Sequence, residues 1–123
     1  MATAAQIRNK AAKKLGVFGT GQTLRGAIAA DLDDAYTEVY GMLAKKRLTT
    51  WDSDEPIPDE FVSPVVALVA DARKNEYGIP DGKYLRISLD AKGDGTPRNP
   101  GAIATIKEMQ ASNVHKTPTA EYF

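Results

Sequence analysis

Cysteine is absent from the 123-residue chain, and histidine and tryptophan occur once each. Without cysteine the protein has no disulfide framework, no zinc–thiolate site and no thiol nucleophile. No apolar run approaches the ~20 residues that a transmembrane helix requires, and the N-terminus lacks the apolar core of a secretory signal. We therefore expect one domain that buries its core without cross-links and does not interact with a membrane.

Acids are absent from the first thirty residues, which contain five bases, although the net charge of the chain is zero. Residues 31–60 contain nine acids and three bases, and the remainder is nearly balanced. The simpler explanation of this uneven charge distribution is that the charges solvate helix faces. The same distribution also suits a protein that binds copies of itself or two different partners. The candidate subunit-interface or channel charges are Arg8, Lys10, Lys13, Lys14, Asp31, Asp34 and Glu38.

Two helices are predicted in the N-terminal third. Thr3 and Gln6 form a capping-box pattern, and apolar residues then recur at helical spacing until Gly16 supplies a stop. Thr23 can cap a second helix, expected to run from about residue 23 to 47 and to end in three cations that suit a helix C-terminus. Its apolar stripe includes Leu32 and Val39.

The third predicted helix begins at residues 58–60, Pro-Asp-Glu, because proline fits a first helical turn and acids are stabilised there. Its wide apolar stripe, which contains Leu68, makes it the most buried helix, and it should close near residues 77–78. Pro64 either kinks this helix or marks a break near its first turn. Trp51, in the preceding loop, is expected to lie over the helix junction as part of the core.

The last third of the chain is less regular. Residues 84–89 fit both a helix and a strand; a helix is favoured because Asp81 offers a cap and the neighbouring segments are helical. Residues 93–101 have no periodicity, and a short helix follows over 102–111. The predicted fold is therefore all-α, a small antiparallel bundle of about four to five helices.

Residues 112–123 lose helical periodicity and are expected to form an extended C-terminal arm beyond a helical domain of residues 1–111. Pro118 biases Thr117 towards an extended conformation. The chain ends in Tyr122 and Phe123, which is unusual for a polar tail, since disordered tails are usually poor in aromatics. These rings either dock back on the parent domain or bind in a partner's groove.

No catalytic, cofactor or metal site is predicted. The glycine spacing of residues 16–23 resembles a phosphate-binding loop, but glutamine replaces the essential lysine and no strand precedes it. Asp90 and Asp94 begin a calcium-loop pattern that places lysine at the third position and glycine at the twelfth. His115 has no neighbouring nucleophile. The acidic second helix is also unsuited to reading DNA bases, although the basic first helix could meet a phosphate backbone.

The order of these features resembles the head-completion or adaptor proteins of tailed bacteriophages, in particular the packaged-DNA stabilisation (tail accessory factor) proteins of short-tailed phages. The most similar segments are residues 11–24 (AAKKLGVFGTGQTL), residues 56–78, from the loop after the tryptophan to Glu-Tyr-Gly, and residues 117–123 (TPTAEYF). The resemblance extends over essentially the whole chain as a pattern of features, without a signature motif.

The resemblance implies a structural virion protein without enzymatic activity or cofactor. Such proteins form a ring, typically of twelve copies, beneath the portal protein, and seat downstream tail or nozzle proteins after the DNA is packaged. It further implies a C-terminal arm that docks on the portal through Thr117, Pro118, Tyr122 and Phe123, with DNA passing through the ring without sequence-specific binding. The expected location is the virion head–tail junction, and the host cytoplasm before assembly.

Two other classes remain as alternatives, a DNA-binding regulatory protein and, less favoured, a phage cell-wall hydrolase. Some relatives of the adaptors have been linked to cell-wall hydrolysis. Hydrolysis of this kind needs two carboxylates across a cleft. The adjacent acids Asp33/Asp34 and Asp59/Glu60 suit solvated faces and helix starts instead.

Overall fold

The computed structural model describes residues 2–16, 26–53, 56–77, 79–96 and 98–116, with side chains as far as Gln110. Five helices follow one another in these ranges: α1 (Ala4–Leu15), α2 (Gly26–Lys45), α3 (Asp59–Arg73), α4 (Asp81–Lys92) and α5 (Ala102–Lys116). The described residues contain no β-strand, only isolated bridges joining Ala2 to Ile57 and Thr96 to Asn99. The prediction of an all-α bundle is confirmed, including a helix over residues 84–89.

Helix α1 forms as its sequence predicts. The Thr3 hydroxyl accepts from the Gln6 amide at 3.2 Å, and the Gln6 side chain accepts from the Thr3 amide at 2.9 Å. At the other end Gly16 adopts a left-handed conformation (φ 81°), which glycine reaches without strain. Both ends of α1 are therefore fixed by local chemistry. The glycine-rich turn after Gly16 and the proposed Thr23 cap lie outside the described residues.

Helix α3 is the centre of the bundle, since it packs against all four other helices. Every residue from Pro64 to Ala70 is buried. Helices α2 and α3 run antiparallel: Arg73 at the end of α3 contacts Asp31 near the start of α2. Because α3 has neighbours on all sides, it needs a wide apolar surface, as predicted.

Three details of the predicted helices are corrected. Pro64 does not break α3, so of the two alternatives predicted there only the break is wrong. The helix ends at Arg73, with a turn replacing the expected last turn as far as Tyr77. At α4 the N-cap is Pro80, while Asp81 is the first helical residue and makes no side-chain cap. An acid in a first turn is still favoured by the helix dipole, so its effect is electrostatic.

Tryptophan 51 lies in the core, as predicted, in the loop that connects α2 to α3. It is 5% exposed, and its ring centroid lies 5.3 Å from that of Phe61. The indole nitrogen donates to the Tyr36 hydroxyl at 3.0 Å, and the Tyr40 hydroxyl donates to the Trp51 carbonyl at 2.8 Å. These bonds satisfy the polar groups that accompany the buried rings and tie the loop to α2.

The loop between α4 and α5 depends on two glycines with positive φ, Gly93 and Gly101. A Cβ at Gly93 would lie 2.8 Å from the Pro100 carbonyl carbon, and one at Gly101 would lie 2.7 Å from that of Lys92. The backbones at the end of α4 and the start of α5 therefore approach more closely than any side chain would allow.

Helix α5 is longer than expected, since its backbone is helical to Lys116, whereas the prediction ended at residue 111. The first five residues assigned to an extended arm, 112–116, are thus helical. The rest of the predicted arm, including Thr117, Pro118, Tyr122 and Phe123, lies outside the described residues.

Candidate interaction surfaces

The basic face of α1 is largely occupied by contacts within the chain. Arg8 Nη1 lies 3.1 Å from Asp33 Oδ2 on α2, and Lys14 Nζ lies 2.5 Å from Asp90 Oδ2 on α4. Lys13 also has an interaction partner. Lys10 is exposed and has no ion pair among the described residues. The face that the sequence offers to a partner therefore mostly stabilises the subunit itself.

Two of the candidate acids on α2 converge on one arginine. Arg73 Nε lies 3.0 Å from Asp31 Oδ1, and Arg73 Nη2 lies 2.5 Å from Glu38 Oε2. The Tyr77 hydroxyl donates to Asp31 Oδ2. We call these four residues the Arg73 cluster. It links α2, at Asp31 and Glu38, to the end of α3, and the turn after Arg73 brings Tyr77 within reach of Asp31.

The charges of the Arg73 cluster stabilise one another. The hydrogen bond from Tyr77, with that from Arg73, holds the pKa of the Asp31 carboxyl below its usual value. The Arg73 guanidinium also lowers the pKa of exposed Glu38. Burial, together with the hydrogen bond to Asp31, raises the pKa of the Tyr77 hydroxyl. Near neutral pH both carboxylates are therefore ionised and Tyr77 is neutral.

The candidate charges thus fall into two groups. Most of them are bound within the subunit, whereas Lys10 and Asp34 are exposed and have no ion pair in the described part of the chain. Sequence spacing placed all seven on polar faces, but it gave no information on which faces meet inside the subunit.

A polar cavity of about 240 Å³ lies between α1, α3 and the start of α5. Its lining includes Ser63, Asn99, Thr105 and the Lys14–Asp90 pair. Three further cavities are lined by Glu38, Asp71 and Asp59 respectively. Each of these four cavities has a single carboxylate in its lining, whereas glycoside hydrolysis typically requires two.

A second basic region, at the C-terminal end of α2, comprises Lys45, Lys46 and Arg47. All three residues are exposed, and none has an ion pair among the residues that the structure describes. Their position in the sequence predicts cations that complement the dipole of α2. The structural feature that sets this region apart from the other basic residues is the φ of Arg47, 59°, which lies in the region that favours glycine. Sequence gives no access to that angle.

Helix α2 ends in a Schellman motif. The Leu48 amide donates to the Leu43 carbonyl at 2.9 Å, and the Arg47 amide donates to the Ala44 carbonyl at 3.0 Å. Leu43 and Leu48 are both buried, as the hydrophobic contact of this motif requires. Arg47 therefore occupies the position that is most often glycine, and its side chain leaves the helix end towards solvent.

No group of three or more histidine, aspartate or glutamate side chains in the described ranges is arranged to hold a metal ion. Among the same residues, no helix has both the length and the apolar character needed to cross a bilayer. No protein-family model, curated protein or solved structure matches this chain.

Proposed function

We propose that this chain is a structural virion protein, a ring-forming head–tail connector that binds beneath the portal, closes the DNA-filled head and seats the tail. The observation that carries the proposal is the resemblance of the sequence to phage adaptor proteins. Two of the segments that carry this resemblance lie at helix ends in the fold. Residues 11–16 form the capped end of α1, and residues 58–61 open the central helix α3 beside buried Trp51.

The distribution of charge supports assembly through the subunit surface. Lys10 on α1 and Asp34 on α2 are exposed charges of opposite sign without a partner in the described part of the subunit. A head-to-tail contact between unlike surfaces closes into a ring when the rotation between neighbours fits, and twelve copies would match the portal. In this proposal the protein has no enzymatic activity or small-molecule substrate. Its partners are the portal, its own copies and later tail proteins.

The C-terminal residues Thr117, Pro118, Tyr122 and Phe123 are proposed to dock on the portal. Since α5 extends to Lys116, the matching deletion removes residues 117–123 and leaves every described helix intact. Burial of two aromatic rings in a groove contributes several kcal/mol before ordering costs, on the order of 2–3 kcal/mol per ring.

The test is co-sedimentation of the purified chain with portal rings of the same phage, with electron microscopy of the complex. The full chain should add a ring of twelve copies to the portal. The variant lacking residues 117–123 and the Tyr122→Ala/Phe123→Ala variant should fail to bind while keeping the wild-type melting temperature. Thr119→Ala is the matched control, because it changes the same segment without removing a ring.

In phage, the deletion should give filled heads that leak DNA and accept no tail. Normal portal binding by the truncated chain would show that docking lies in the helices, and unfolding of the truncated chain would show that the segment belongs to the core. If the full chain fails to bind portal rings at all, the connector function is wrong.

A further inference from the structure

We infer that the C-terminal end of α2 is a contact surface for the phosphate backbone of double-stranded DNA. The surface consists of Lys45, Lys46 and Arg47, joined by Lys107 from α5; we call it the α2-end surface. The inference rests on the proposed function, which it deepens by naming the part of the subunit that faces the packaged DNA.

The charge of this surface is not cancelled by its surroundings. Two acids line cavities beside this end of α2: Glu38 lines one with Lys45 and Lys46, and Asp71 lines one with Met42 and Ile103. Asp71 is paired with Lys74 at 2.5 Å. Glu38 is already held by Arg73 at 2.5 Å. Lys45, Lys46 and Arg47 therefore present a net positive potential to solvent, and clustered cations of this kind bind phosphates by releasing condensed counterions.

A second helix adds to the same surface. Gln110 Nε2 of α5 donates to the Leu48 carbonyl at 2.7 Å, just beyond the end of α2. Ile103 of α5 lines a cavity together with Met42 of α2. Helical spacing places exposed Lys107 between Ile103 and Gln110, on the side of α5 that meets α2. The side of α5 that carries Lys107 therefore reaches the segment just beyond the end of α2 through Gln110.

The left-handed backbone conformation of Arg47 supports the inference independently of the charges. If the three cations only complemented the helix dipole, Lys45 and Lys46 would suffice, and glycine at position 47 would end the helix at lower cost. An arginine held at φ 59° costs stability that the Schellman motif itself does not require. Strained residues of this kind concentrate where the side chain has a function, and the arginine side chain is a strong phosphate ligand.

Binding is measured by fluorescence anisotropy with the full-length chain and two labelled DNA duplexes of unrelated sequence, over a series of salt concentrations. Both duplexes should bind equally, because phosphate contacts carry no sequence information. With three to four phosphate contacts, the logarithm of the affinity should fall against the logarithm of salt concentration with a slope of about −2.7 to −3.6.

Arg47→Gly is the decisive variant, because it removes a cation while relieving backbone strain. It should reduce the slope by about one and weaken binding roughly fivefold at low salt. It should also raise the melting temperature by about 3–5 °C, so weaker binding cannot be attributed to unfolding. Lys46→Gln should give the same loss of binding. Arg86→Gln on α4, at an exposed residue without an ion pair in the described part of the chain, is the control of equal charge change and should leave affinity within about twofold of wild type.

Several outcomes overturn the inference: no salt-dependent binding by the wild-type chain, an equal loss in Arg86→Gln, or unchanged binding in Arg47→Gly. A strong preference for one duplex would favour a sequence-reading regulator instead. The portal assay separates this inference from the connector function. A chain that binds portal rings but not DNA refutes only the α2-end surface, and one that binds DNA but not portal rings refutes only the connector.

Discussion

The basic face of α1 and the α2-end surface contain similar numbers of cations, yet their environments differ. On α1, Arg8 and Lys14 are held by acids of α2 and α4, so their charge contributes to packing of the subunit. At the end of α2, Lys45, Lys46 and Arg47 form no ion pair within the described residues. The acid-free N-terminal segment is the more conspicuous in sequence, but the structure makes the second region the available one.

The comparison shows that composition is a poor guide to exposed charge. An ion pair can join residues that are far apart in the chain, as Lys14 and Asp90 are. Neither residue can be identified from the other in the sequence. Electrostatic potential depends on what remains after such pairs form. Variants of the two regions, and of the core beneath them, distinguish charge that stabilises the fold from charge that is free to bind.

The largest expected effect comes from the core that supports both regions. Leu32 on α2 is fully buried, and Leu32→Ala should destabilise the protein by about 2–4 kcal/mol, because it leaves a cavity. Val39→Ala and Leu68→Ala should give losses of the same order, slightly lower. The free energy of unfolding is measured by urea denaturation. A charge variant on α1 that cost more than Leu32→Ala would contradict the assignment of core and surface.

The Arg73 cluster should have the next largest effect. Arg73→Met removes the cation between Asp31 and Glu38, and we expect a loss of about 1–2 kcal/mol, limited by solvent screening of the carboxylates. Asp34→Asn, which removes an exposed acid without a partner among the described residues, is the control and should be nearly neutral. Equal losses in the two variants would show that the ion pairs of the cluster do not stabilise the protein.

The free energy of unfolding should depend on pH through two residues of the Arg73 cluster, Asp31 and Tyr77. Because the pKa of Asp31 is lowered on folding, its contribution is present above the unfolded pKa of about 4 and is lost as the pH falls through the folded value. The pKa of Tyr77 is raised, so its contribution is present below about pH 10 and is lost as the pH rises further. Urea titrations across this range should show both losses, and Asp31→Asn should diminish them.

A smaller effect, of opposite sign, is expected at the end of α2. Arg47→Gly should stabilise the protein by about 1 kcal/mol, because glycine adopts the left-handed conformation without strain. The variant is measured by urea denaturation beside Lys46→Gln, which should change stability by less than about 0.5 kcal/mol. Destabilisation by Arg47→Gly would mean that the arginine side chain makes a contact that holds the fold.

The smallest effects should separate the two kinds of lysine on α1. Lys14→Gln breaks the pair with Asp90 and should cost less than about 1 kcal/mol, whereas exposed Lys10→Gln should be nearly neutral. Chemical denaturation at low and high salt measures both. The difference between the variants should shrink at high salt, and a difference that does not change with salt would show that Lys14 acts through its aliphatic packing.

Local signals predicted the helices because each depends on residues close together in sequence. The Thr3 and Gln6 capping box, the Gly16 stop and the acids at the start of α3 all act within one turn, and all appear in the structure. Residues 84–89 were ambiguous because three alternating apolar residues fit two periodicities. Only the packing of Ile87 and Ala91 against the bundle distinguishes helix from strand there.

The ends of elements were less predictable, because tertiary contacts shift them. Helix α3 stops at Arg73, where the following turn places Tyr77 against Asp31, although its apolar spacing suggests a later end. The candidate charges were likewise identified by residue type alone. Which of them pair within the subunit depends on contacts such as Arg8 with Asp33, across 25 residues of sequence.

The sequence by itself determined that this protein is a bundle of amphipathic helices, where most of them begin, and which apolar residues form the core. These properties follow from periodicity and capping, which are local. Only the tertiary structure decided which charges remain available, because that depends on acids brought from distant segments. It also decided that Arg47 occupies a left-handed position at the end of α2, since that conformation is imposed by buried Leu43 and Leu48 closing the helix.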